Sequence, residues 1–93
     1  MDEFMVRCTF EEGTVMSDVY AVVAEEQAAV ERLTAAGRVG DIRLSLARGT
    51  VFIQVFARDA DDAADTVSSL PMSKWWDLDV YPIAAPSAPG GAA

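Results

Sequence analysis

Four short stretches of this chain alternate apolar and polar residues with period two, and two longer stretches between them repeat with helical period. The order of those periods limits the fold more than any other feature. "EFMVRCTF" (3–10) places Phe4, Val6, Cys8 and Phe10 on one face and Met5, Arg7 and Thr9 on the other, the pattern of a strand. "EEGTVMSD" then turns the chain, and Ser17 or Asp18 can cap a helix running from Val19 to Ala36. Gly37 stands where a glycine ends a helix. "DIRLSLARGTVFIQVFA" (41–57) reads as a hairpin, with Ile42, Leu44 and Leu46 alternating with Arg43 and Ser45. Gly49, in "ARGT", can take the positive φ of a tight turn. In the second arm Val51, Ile53 and Val55 back onto Phe52, Gln54 and Phe56. "RDADDAADTVSSLP" (58–71) is a second helix, capped by Asp59, lined inside by Ala60, Ala63, Ala64 and Val67, and stopped by Pro71. "KWWDLDVYPI" (74–83) is the last strand, with Trp76, Leu78 and Val80 opposite Trp75, Asp77, Asp79 and Tyr81.

The order β-α-β-β-α-β predicts an α+β, ferredoxin-like domain over residues 1–83: a four-stranded antiparallel sheet with both helices on one face. Residues 84–93, "AAPSAPGGAA", read as a flexible Pro/Gly/Ala tail. The second sheet face carries Arg7, Arg43, Asp77 and Asp79 among aromatics. It is too apolar to stay wet and too charged for an ordinary core, so it predicts a homodimer in which two such faces pair arginines with aspartates.

Composition removes whole classes of function. Fifteen acids against seven bases give a net charge of −8, which opposes nucleic acid or an anionic membrane as partner. No histidine occurs, so His-based triads, His-ligated metals and an imidazole base are excluded. No phosphate loop, cysteine cluster or calcium loop is present, and neither metal nor cofactor is expected. One cysteine, no bilayer-length apolar run and an acidic start, "MDEF", unlike a secretory signal, predict a cytoplasmic protein.

One acid stands out. On a wheel of roughly 100° per residue, Glu26 falls within about 20° of the centre of a stripe formed by Val19, Val22, Val23, Val30 and Leu33. A carboxylate there loses hydration, its pKa rises, and it becomes suited to carrying a proton between two carbons. Two bland alternatives stand beside that reading. Glu26 could be bonded to Arg43, Arg48 or a backbone amide, or a roll of the helix could leave it at the edge. Candidates for ligand contact are Cys8, Tyr20, Arg43, Trp75 and Trp76. Each has an ordinary alternative: core packing for Cys8, packing or the dimer seam for the tryptophans, and ion pairs with Asp77 or Asp79 for Arg43 and its neighbour Arg7.

"LPMSKWWDLDVYPI" resembles the closing segment of muconolactone Δ-isomerases, and "AEEQAAVERLTAAG" (24–37) resembles the end of their first helix. "FMVRCT" fits their first strand, and no gap is needed between Ala24 and Ile83. The resemblance implies a subunit that dimerises into an α/β barrel, with larger rings of dimers, and a cofactor-independent enzyme that shifts a proton within an unsaturated lactone. It places Glu26 on the family's helix glutamate. Gln27 stands in place of the family's lysine, and "DIRL" replaces His-Leu-Trp-Arg, so Asp41 takes the histidine position and Leu44 the arginine position. Three readings follow: an isomerase of a small unsaturated lactone or enone other than muconolactone, a natural-product cyclase on the same scaffold, and a non-catalytic dimeric module that binds a small molecule.

Overall fold

A computed structural model of the chain describes residues 1–86. The residues of the expected tail from 87 onward lie outside it. The elements are β1 (Asp2–Phe10), α1 (Met16–Tyr20), α2 (Val23–Ala35), β2 (Val39–Ser45), β3 (Thr50–Ala57), α3 (Ala60–Ser68) and β4 (Trp76–Ile83), with 3₁₀ turns at Leu46–Arg48 and Pro71–Trp75. The four strands form one antiparallel sheet in the order β2-β3-β1-β4, the ferredoxin-like arrangement. β1 sits between β3 and β4, and its register aligns Val6 with Ile53 and Val80, and Cys8 with Val51 and Leu78. Every residue of these two rows therefore faces the helices.

The core lies on that face. Phe4, Val6, Cys8, Ile53 and Val55 from the sheet meet Ala29 of α2, Ala63 and Val67 of α3, and Leu70. Small residues let α3 lie close over β1, β3 and β4, as its sequence predicts, although Ala60 is exposed and Thr66 is buried in its place. Asp59 caps α3 by accepting from the Asp62 amide. Arg38, which the periodicity leaves unmarked, fastens α3 to β3. Its Nε donates to the Phe56 carbonyl at 2.8 Å, and its Nη2 donates to Asp62 at 3.0 Å and to Thr66 Oγ1 at 2.6 Å.

Three expectations need correction. The helix expected from Val19 to Ala36 is two helices, broken at Ala21 and Val22, where Val22 has φ −110° and ψ 14°. The break turns Val19 inward and leaves Tyr20 exposed. The last strand begins at Trp76 rather than Lys74, because Pro71 opens a 3₁₀ turn that runs to Trp75. The "ARGT" turn does take the positive φ expected at Gly49, +56°, a conformation open to glycine and strained for other residues, at the end of a 3₁₀ turn. β2 starts earlier than expected and is irregular between Val39 and Ile42. There Gly40 packs so closely on the side chain of Gln54 that a Cβ would collide with it.

The core predicts its own sensitivity. Leu70 is almost fully buried between α3 and the turn that follows. Leu70→Ala is expected to cost about 2–5 kcal/mol in urea unfolding with an unchanged m-value.

Candidate functional site

α3 covers its half of the sheet tightly, whereas α1 and α2 stand off the β2–β3 half. Between them lies a groove of about 1140 Å³. Ile42, Val51, Ile53, Phe10 and Trp76 form its floor, and Met16, Val19, Val23 and Val30 its helical wall. The break at Ala21–Val22 falls within this wall, between Val19 of α1 and Val23 of α2.

Glu26 is the acid on that wall. It lies on the buried side of α2 with Ala29, and only 9% of it is exposed. Its Oε1 accepts from the Met72 amide at 2.9 Å. That amide has a local reason to seek a partner. Pro71 has no N–H, so Met72 supplies the first free donor of the 3₁₀ turn, and Leu70 offers no side-chain cap. The second oxygen, Oε2, has no hydrogen-bond partner among the described residues. Burial pushes the Glu26 pKa above the ordinary carboxylate range, and the Met72 hydrogen bond opposes that shift only in part. The result is a carboxyl group with one oxygen held and one oxygen free, at the wall of an apolar groove. Such a group can accept a proton from a carbon acid and return it.

The remaining candidates separate. Trp76 lies in the floor, 6% exposed, edge-on to Phe10 with ring centroids 6.0 Å apart. Its Nε1 is buried without a partner among the described residues. Tyr20 stands on the rim, 67% exposed. Cys8 is fully buried in the sheet and does not line the groove. Burial first, and then the charge of Glu26, push its thiol up to about 12, so it stays neutral and is no nucleophile. Trp75 lies in the 3₁₀ turn beneath the Lys74 ammonium, 4.9 Å from its ring, outside the groove. Arg43 is aligned with Phe52 and so projects from the opposite sheet face, well exposed and 4.0 Å from Asp41. The ligand contacts expected at Cys8, Trp75 and Arg43 are therefore not brought to this groove. Strand parity excludes Arg43, the late start of β4 excludes Trp75, and burial excludes Cys8.

Sequence reading missed the Met72 amide, for which the Leu-Pro pair was the available signal. It also missed Phe10 and Met16 as lining. Among the described residues no group of three or more acids or cysteines is placed to hold a metal ion, and no helix is long and apolar enough to cross a membrane.

The raised Glu26 pKa fixes the sign of a pH effect. The fold holds this proton to higher pH than the unfolded chain does, so its contribution to stability falls as pH rises through the raised value. In urea unfolding across that window, Glu26→Gln is expected to gain stability relative to wild type as pH increases. A stability difference that does not change with pH would contradict the assignment.

A family model described as muconolactone delta-isomerase matches residues 2–88 of the chain. No curated protein matches it.

Proposed function

The chain belongs to the muconolactone delta-isomerase family, and from that premise we propose that it is a cofactor-independent isomerase in which Glu26 moves a proton within a small unsaturated lactone or enone. The observation that carries this reading is the state of the carboxyl group: buried in a ligand-sized groove, held by the Met72 amide through one oxygen and unbonded at the other. In its ionised form Glu26 takes a proton from the α carbon of a β,γ-unsaturated carbonyl compound, or from the γ carbon of an α,β-unsaturated one. The electron pair spreads into a dienolate. The same carboxyl group returns the proton at the far end of the conjugated system, so the product is an isomer and no electrons are gained or lost. Burial suits the task, because a carboxyl group titrating nearer neutrality both takes and returns the proton readily.

General acid–base catalysis of this kind contributes about 10²–10⁴-fold. With an unsaturated lactone or enone that the wild type turns over, Glu26→Gln is expected to lose at least about 100-fold in kcat with an unchanged circular dichroism spectrum. Full turnover by a folded Glu26→Gln protein would sink the reading. A cyclase on the same scaffold is favoured by one observation, that the groove is larger than a single five-membered ring needs. It would use the same carboxyl group for an aldol-type closure. A purely structural Glu26 is favoured by its bond to the Met72 amide, and the kinetic test separates that case.

The homodimer belongs to the same proposal. On the open sheet face Arg7 bonds Asp79 at 2.9 Å, and Met5, Phe52 and Phe56 lie half-buried around them. Arg43 lies toward the β2 edge, and Asp77 and Asp79 lie on the β4 edge. A two-fold axis parallel to the strands would lay β2 of one protomer over β4 of its partner and bring opposite charges together. Analytical ultracentrifugation is expected to find a dimer in the wild type and a monomer in Phe52→Asp.

A further inference from the structure

The groove contains no cation, and every cation of the chain has a place elsewhere. Seven are present. Arg7 and Arg43 project from the opposite sheet face. Arg48 borders a shallow hollow on that same face with Phe52 and Asp77. Arg38 is bound to Phe56, Asp62 and Thr66, and Arg58 bonds Asp62 at the start of α3. Lys74 lies over Trp75, and Arg32 is exposed in the last turn of α2. The groove wall instead carries two carboxyl groups, Glu26 and Glu31. Two helix N-termini border the groove, and both already hold acids in their first turn: Asp18 in α1, and Glu25 and Glu26 in α2. A ligand carboxylate or phosphate would lose its hydration here and gain no counter-charge, in a protein of net charge −8.

The apolar lining also extends to the exposed rim of the groove. Leu44 and Leu46 on the rim are 63% and 87% exposed, beside Tyr20. A single small ring would leave this rim wet.

We propose that the substrate of this site is an uncharged, largely apolar carbonyl compound, larger than one five-membered ring and bearing no carboxylate or phosphate. The inference rests on the proton-transfer reading of Glu26, which also disfavours an amine ligand. A buried ammonium would hold the carboxyl group ionised in an ion pair and keep it from returning a proton.

The test compares three probes by quenching of tryptophan fluorescence, since Trp76 lies in the groove floor. They are muconolactone, which carries a carboxylate; its methyl ester, which differs in charge; and 5-androstene-3,17-dione, an uncharged fused-ring β,γ-unsaturated ketone. The ester is expected to bind about tenfold or more tighter than the acid, and the fused-ring ketone more tightly than the ester. In Gln27→Arg, which adds a cation to the groove wall, the preference for ester over acid is expected to shrink. Equal or tighter binding of the acid overturns the inference, as does failure of all three probes to bind. The expected order of binding without turnover of any probe upholds the charge class and counts against the catalytic reading, so the two failures are distinguishable.

Discussion

The hydrogen bond from the Met72 amide to Glu26 joins the two parts of the molecule that make the groove. It runs from the turn before β4 to the first full turn of α2, across 46 positions of sequence. Pro71 removes one donor from that turn and leaves the next without a local partner, while burial of Glu26 demands compensation for a carboxyl group taken from water. Each need meets the other. The bond anchors the wall of the groove at its polar point, and the valines around Glu26 fill the apolar remainder. The same contact explains why only one carboxylate oxygen is committed to structure.

Strand parity divides the chain's chemistry between the two faces of one sheet. Odd-numbered residues of β1 carry Arg7 outward to Asp79, and even-numbered residues carry Val6 and Cys8 inward. In β2, Ile42 and Leu44 turn toward the helices and Arg43 turns away. A shift of one residue in any strand would exchange these sets. The charge pairs of the open face and the uncharged floor of the groove are thus two results of one register. The hollow lies toward β2 because α3, with its small residues, packs on β1, β3 and β4, while α2 meets the sheet at β2.

Much of this was legible in the residues. The change of period along the chain placed four strands and the helical segments in the right order, because alternation and helical repeat follow directly from backbone geometry. Glu26 was legible for a similar reason, since the helix wheel puts it among valines and the structure buries it. Arg38 was not legible, because its partners Phe56, Asp62 and Thr66 become neighbours only when α3 docks on β3. The break between α1 and α2 was hidden too. No proline or glycine marks Ala21–Val22, and the burial of Val19 just before the break is settled only by the folded structure.

By itself, the sequence determined the order and type of the elements, the inward and outward faces of each strand, and the presence of an acid on a face that must be buried. These are properties of neighbouring residues and of fixed backbone periods. Tertiary structure alone decided that Glu26 would meet the Met72 amide, that Trp76 rather than Trp75 would line the groove, and that Arg43 would stand on the far side from Glu26. It also decided that all seven cations would lie outside the groove, although their number was plain from the start. Those outcomes depend on how helices dock over a finished sheet, and docking brings together residues that no local pattern connects.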